Sequence, residues 1–314
     1  VIVCLVGPTA VGKSEVALQL AERLGAEILC ADSRQVYRGM EIGTAKPTAA
    51  ARTRVTHHLI DVVDPDEVYS AGRYARDAAV CLEALRARGV RPLIVGGTGL
   101  YLRALLWGLC DGPTADPTLR AAWLLRERDE PGAVYRRLSE VDLASAAAIH
   151  PNDLPKALRA VEVFELTGVP LSAGQRAHGF RSPQYDAVLI GLRRERADVY
   201  ARIDARVDAM IAQGLPAEVE GLMRVGYDDA APGMRAVGYR QLVGALRGAY
   251  DLDEAIRLIK RDSRRYAKRQ MTWFGADPSI RWVDAAADAR VDELVDRVMA
   301  CLDDAACAAQ DRRG

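Results

Sequence analysis

The plainest chemistry in the chain sits near its start, in Gly7-Pro8-Thr9-Ala10-Val11-Gly12-Lys13-Ser14. These residues match G-x-x-x-x-G-K-[ST], with an apolar run before them and a helical pattern after. Such a loop wraps a phosphate in backbone N–H groups, and the helix N-terminus adds partial positive charge. Lys13 supplies a point charge and Ser14 a hydroxyl for Mg²⁺. The motif specifies phosphate or diphosphate, and neither ATP nor hydrolysis. Three classes of protein fit it: a small-molecule kinase, a regulatory nucleotide switch, and a transferase whose diphosphate is a leaving group. The chain has no Asn-Lys-x-Asp element to read guanine, which weighs against the switch.

Short apolar runs position this loop and its neighbours. Val1–Val6 reads as a buried strand and Ser14–Leu24 as a helix with one apolar face. Glu27–Cys30, His57–Val63 and Arg91–Val95 read as further strands, with a helix over Arg73–Arg88 before the last. The alternation implies an α/β, P-loop NTPase-like core whose parallel sheet is flanked by helices. Ligands of such sheets bind beyond the carboxyl ends of the strands. Asp32-Ser33-Arg34-Gln35 and Gly96-Gly97-Thr98-Gly99 both follow strands, so they converge with the phosphate loop. From 111 to 184 the pattern turns helical, with Pro113, Pro117, Pro131 and Pro151 as punctuation, and reads as an insertion domain. Such an insertion could serve a kinase as its arginine-bearing lid. Residues 1–110 and 185–284 form the core, Ala187–Leu192 re-enters the sheet, and 285–314 reads as a C-terminal helix and tail.

Composition narrows the class. Lys+Arg and Asp+Glu both number 43, which excludes a uniformly basic nucleic-acid coat but not a local patch. Half the residues are hydrophobic and 27% charged, as in a globular protein. No run reaches the ~18 apolar residues of a membrane span. The six cysteines form no C-x-x-C, so neither zinc nor disulfides are expected. The expectation is a reduced, soluble, cytoplasmic protein. His57 and His58 are adjacent on a strand and face opposite ways, so they do not jointly hold an ion.

Longer strings then carry a resemblance. Asp32-Ser33-Arg34-Gln35-Val36-Tyr37 through Gly43-Thr44-Ala45-Lys46-Pro47 is similar to the segment after the second strand of tRNA dimethylallyltransferases, also called tRNA isopentenyltransferases. His57-His58-Leu59-Ile60-Asp61, Val95-Gly96-Gly97-Thr98-Gly99-Leu100-Tyr101 and Pro151-Asn152-Asp153 follow in the family's order. So do Arg159-Ala160-Val161-Glu162-Val163, Gly238-Tyr239 and Ala267-Lys268-Arg269-Gln270-Met271-Thr272-Trp273. The resemblance runs from about Val3 to Phe274. Lys156 departs from the family's arginine and lacks its planar fork. No counterpart of the eukaryotic zinc-finger tail is present, which suggests the bacterial type.

The resemblance implies transfer of a dimethylallyl group from dimethylallyl diphosphate to the exocyclic N6 amine of the adenosine 3′ of the anticodon. That amine is a weak nucleophile, so a nearby general base helps, and Asp32 is the candidate. Thr98 is expected at the substrate adenosine. Gly7 to Ser14 would hold the diphosphate with Mg²⁺ on Ser14, and Arg196 would stabilise the leaving charge. Contacts with the tRNA anticodon stem-loop are expected from Asp32, Ser33, Arg34, Gln35, Thr98, Arg120 and the segment Lys156, Ala157, Leu158, Arg159, Ala160. Gln35 carries an amide suited to bidentate adenine recognition. Lys260–Arg269 holds six basic residues in ten, and Arg264, Arg265 and Lys268 are expected to track RNA phosphates. The helical insertion would form a second wall for the RNA. A monomer is expected.

Overall fold

The computed structural model describes residues 1–110, 112–179 and 183–310. Two compact units emerge: Val1–Leu106 with the chain from Gln184 onward, and Trp107–Pro183.

The first unit opens with β1 (Ile2–Val6), α1 (Lys13–Leu24), β2 (Ala26–Cys30), α2 (Ala49–Arg54) and β3 (His57–His58). It continues with α3 (Ala71–Ala87), β4 (Arg91–Gly96) and α4 (Gly99–Trp107). The second unit holds α5 (Pro117–Asp129), α6 (Ala133–Val141), α7 (Leu143–Ala148), α8 (Leu154–Thr167) and α9 (Leu171–His178). The first unit resumes with β5 (Ala187–Arg193), α10 (Arg196–Ala212), α11 (Leu215–Arg224), α12 (Tyr239–Leu246) and α13 (Leu252–Gly275). It closes with β6 (Arg281–Asp284) and α14 (Val291–Gln310).

The six strands form one parallel sheet in the order β3-β2-β4-β1-β5-β6. β1 is central, and its Cys4, Leu5 and Val6 are fully buried, as an apolar run covered on both faces should be. One face packs against α1 and α14 through Val16, Leu20, Leu294, Val295 and Val298. In α3 and α4, Tyr74 stacks on Tyr101 with ring centroids 4.3 Å apart. β2, β4 and β1 lie side by side, so their carboxyl-end loops are neighbours.

One expectation is corrected. The strand expected over His57–Val63 ends after His58, because Leu59 (φ 62°) and Asp61 (φ 55°) turn the backbone into the left-handed region. Asp61 there accepts from Lys46 and Arg52, contacts an extended strand would not offer. In the segment expected as a C-terminal helix and tail lies α14, whose apolar stripe packs into the core. Helices α4, α9 and α12 had no forecast, since glycines mask the start of α4 and α12 and α9 buries no side chain. The second unit has its own small core of Val134, Leu138, Ala157, Leu158, Ala160 and Val161.

Candidate functional site

β1 ends at Val6, and Gly7, with a φ of 144°, turns the chain into the loop; a Cβ there would meet the Leu192 carbonyl oxygen at 2.6 Å. Gly12 stands at the N-cap of α1 with φ 108° and no side-chain cap, so the first N–H groups of α1 have no capping side chain. Lys13 Nζ donates to the carbonyls of Gly7 (2.9 Å) and Pro8 (2.6 Å). Burial, with Arg206 adding to it and Asp32 opposing, brings its ammonium down to about 8. Gln270, buried on α13, clamps the site: its Oε1 accepts from Thr9 N at 2.8 Å and its Nε2 donates to Gly97 O at 2.9 Å. A Cβ on Gly97 would sit 2.2 Å from Gln270 Nε2, and one on Gly99 2.0 Å from Trp273 Nε1. The glycines after β4 are therefore the seat on which α13 rests.

Asp32 and Thr98 end neighbouring strands. Thr98 N donates to Ala31 O at 3.1 Å, and Thr98 Oγ1 accepts from Ser33 N at 3.0 Å. Asp32 Oδ1 accepts from Arg34 N at 2.8 Å; among the described residues nothing donates to Oδ2. Tyr266 of α13 stands beside Thr98, and burial together with the Asp32 charge pushes its phenol up to about 12. A cavity of about 310 Å³ is lined by Lys13, Ser14, Asp32, Gln35, Arg202 and Arg206, among others. A second, of about 260 Å³, shares Thr9, Asp32, Thr44, Ala45, Arg206 and Tyr266 with it. Asp32 thus stands where the two meet.

The arginines of the cavity differ from the one expected. Arg196 Nε donates to Tyr200 Oη at 2.9 Å and its guanidinium lies over the Tyr200 ring. Arg202 Nε donates to Ala10 O at 2.8 Å, and Arg206 Nη1 lies 3.4 Å from Thr9 Oγ1. At about 100° per residue, positions 202 and 206 of α10 share a face, while 196 lies about 120° from the first and about 80° from the second. Burial and the Arg202 charge hold Arg206 below the usual arginine range.

Sequence profiles agree with this geometry. The family described as IPP transferase matches residues 35–277, and that described as isopentenyl transferase matches residues 1–63. The tRNA dimethylallyltransferase 2 of Geotalea uraniireducens is 50% identical over 284 residues, 90% of this chain and 92% of its own. The chain belongs to the tRNA dimethylallyltransferase family. The tRNA dimethylallyltransferase of Geobacter sulfurreducens is 48% identical over 91% of this chain and 93% of its own. Among solved structures, the tRNA isopentenylpyrophosphate transferase of Bacillus halodurans matches with a TM-score of 0.72 at 38% identity, covering 98% and 99% of the two chains. A eukaryotic dimethylallyltransferase acting on tRNA matches with a TM-score of 0.76 at 26% identity over 91% and 74%. The chain is a prenyl-transferring enzyme on a P-loop NTPase-like fold. Among its described residues, no helix is long and apolar enough to cross a membrane.

Several residues expected to meet tRNA in this dimethylallyltransferase are occupied otherwise. Gln35 donates to the carbonyls of Thr44 and Ala45 (both 3.2 Å) and accepts from Cys30 Sγ, so its amide holds the loop instead of presenting a free pair to adenine. Ala157, Leu158 and Ala160 are buried, because the helical period turns them into the core of the second unit; only Lys156 and Arg159 reach the surface. Lys156 pairs with Asp153 at 2.5 Å. Arg120 grips Glu162 through both oxygens (2.7 and 2.8 Å), and Arg159 joins it at 2.5 Å. Glu162 is wholly buried, and these arginines bring its carboxyl down to about 2 against the cost of burial. Arg264 is paired with Asp204, whereas Arg265 and Lys268 are exposed. Arg34 lines the second cavity.

Four contributors had no forecast role: Gln270, Arg202, Arg206 and Glu162. An uncharged glutamine inside a basic run and an i,i+4 arginine pair were the available signals. His57 Nδ1 meets the Val55 carbonyl and His58 Nε2 meets Glu27, both structural contacts. Among the described residues no three His, Cys, Asp or Glu side chains converge as a metal cage. Mg²⁺ fits here in another way: Ser14 and Asp32 offer hard oxygens to one cavity, and Mg²⁺ usually takes its remaining ligands from phosphate and water.

Proposed function

We propose that this chain transfers a dimethylallyl group from dimethylallyl diphosphate to the exocyclic N6 amine of the adenosine 3′ of the anticodon in tRNA. One observation carries the reading. Among the described residues Lys13, Arg202 and Arg206 gather without carboxylate ion pairs at the phosphate loop, and Asp32 stands in the same cavity with Thr98 on the neighbouring loop. The donor's diphosphate lies on the loop N–H groups and these cations. The adenosine leaves its stack and enters beside Asp32 and Thr98. The C1–O bond of the donor breaks as the N6–C1 bond forms. N6 gives its proton to Asp32, and the diphosphate leaves with the electron pair of the broken bond. Proton removal counters the delocalisation of the N6 lone pair, and the cations meet the charge that develops on the diphosphate. Mg²⁺, held by Ser14 and the diphosphate, would supply further charge neutralisation. Thr98 orients the base, with Tyr266 behind it. The stem-loop is drawn to the basic surface of α12 and α13. The working form in this reading is a monomer in the cytoplasm.

The test is incubation with dimethylallyl diphosphate, Mg²⁺ and an unmodified anticodon stem-loop, without ATP, followed by mass analysis of nucleosides. N6-isopentenyladenosine is expected. Turnover that requires ATP and releases ADP would overturn the reading.

A further inference from the structure

The basic surface of α13 is not uniform. On one side, Lys260 pairs with Asp208 at 2.6 Å, and Arg264 pairs with both oxygens of Asp204 at 2.6 and 2.7 Å. Those charges are neutralised by α10. On the other side a single acid serves several cations. Asp262 Oδ1 accepts from Arg261 Nε at 2.9 Å, and its Oδ2 accepts from Arg240 Nη2 (2.8 Å) and Gln241 Nε2 (2.9 Å). Arg265 Nη1 lies 3.7 Å from Oδ1. Asp262 is 8% exposed, while the side chains of Arg240, Arg261 and Arg265 are 50%, 38% and 65% exposed. The carboxylate is thus inside and the guanidiniums outside.

We propose that Asp262 is a positioning residue for RNA: its buried carboxylate fixes Arg240 and Arg261, with Arg265 beside them, as a preset fan for backbone phosphates. Donor accounting supports this. A guanidinium has five N–H groups and Asp262 takes one from each of its two close partners, so the rest stay available to phosphate. Arg240 also lines the cavity that holds Asp32 and Tyr266, which sets that arm of the fan beside the space a flipped nucleoside would take. Asp262 has the pull of Arg261 and Arg240 to hold it ionised against its burial. A negative charge in a phosphate-facing surface costs attraction. Its use lies in ordering long side chains before RNA arrives, which removes that cost from binding.

The inference rests on the proposed docking of tRNA to this surface, and the experiment separates the two. Binding of an unmodified anticodon stem-loop is measured across a salt series for wild type, Asp262→Asn, Arg240→Lys and the double variant Arg265→Gln/Lys268→Gln. Dimethylallyl diphosphate binding checks that each variant is folded. By charge alone, Asp262→Asn should tighten RNA binding. Positioning predicts the opposite, a loss of roughly three- to tenfold, the worth of ordering a long side chain on binding. Arg240→Lys keeps the charge but loses the fork, so affinity should fall with the salt slope unchanged; it also carries the test if Asp262→Asn fails to fold. Tighter or equal RNA binding in Asp262→Asn, or wild-type affinity in Arg240→Lys, overturns the inference and leaves the docking surface standing. An unchanged affinity and salt slope in the double variant overturns both.

Discussion

Two groups of arginines in this molecule look alike in sequence and differ in what they touch. Arg202 and Arg206, with Lys13, reach only backbone carbonyls and a threonine hydroxyl at the phosphate loop. Among the described residues none of the three makes an ion pair. In the second unit, Arg120 and Arg159 close on the buried carboxylate of Glu162, which also accepts from Asp116 N. The first arrangement leaves positive charge unneutralised inside a cavity and is costly until an anion arrives. The second is a satisfied pair that holds α5 to α8. Here the desolvated cations on carbonyls line the candidate ligand cavity, and Arg120 and Arg159 on Glu162 form a structural joint.

The contrast can be broken in several ways. The largest effect should come from Asp32, the acid of the cationic cavity. Asp32→Ala should lower turnover by roughly 10²–10⁴-fold, the usual worth of a general base, with tRNA binding weakened far less. A near-normal single-turnover rate would remove Asp32 from that role. Arg206→Ala should cost on the order of 10²-fold in turnover, as loss of a preorganised charge stabiliser does. Its thermal stability should hold or rise, since a buried unpaired cation is removed; a clear drop in Tm would erase the distinction between the two groups. Arg120→Ala should do the reverse. Denaturant titration should register a loss of about 2–3 kcal/mol, at or below the low end for a broken buried pair because Arg120 is partly exposed and Arg159 remains. Prenylation per folded molecule should stay near wild type.

The smallest effect is in pH. Lys13 is lowered to about 8, and a bound diphosphate favours its charged form, so binding takes up a proton as pH rises past that value. Donor affinity should hold below pH 8 and weaken by up to about tenfold per unit above it, as calorimetry would record. Glu162 titrates in the opposite window. Its carboxyl is depressed to about 2, so its contribution to stability is complete above the ordinary glutamate range and is lost as pH falls from there toward 2. A donor affinity flat from pH 7 to 9 would mean that the Lys13 charge is not used.

Much of the core was legible because its signals are local. A buried strand, a glycine turn and a helix start follow one another within Ile2–Leu24, and each is set by neighbours in sequence. Asp32 and Thr98 could be placed together because parallel strands bring their carboxyl-end loops to one edge. The parallel sheet needed only the alternation of apolar runs and helices, whereas its strand order came from the fold. The short β3 was misread because Val62 and Val63 continue an apolar run, while the turn that ends the strand is held by Lys46 and Arg52 from distant positions.

The sequence by itself determined the phosphate loop, the α/β class, the helical insertion and the family, because these reside in contiguous strings and in periodicity. Only the tertiary structure decided the partner of each long polar side chain. Arg196 and Arg206 are both basic residues on α10, and a turn of the helix sends one to Tyr200 and the other to Thr9. Gln35 and Gln270 are both amides in matched motifs, and both are used up in holding loops. Arg264 and Arg265 are adjacent, yet one is neutralised by Asp204 and the other lies near Asp262 with most of its side chain in solvent. The physical reason is reach. An arginine or glutamine extends several ångströms from its backbone, so its function is set by whichever acid, carbonyl or cavity the fold brings within that distance, and sequence spacing carries no record of it.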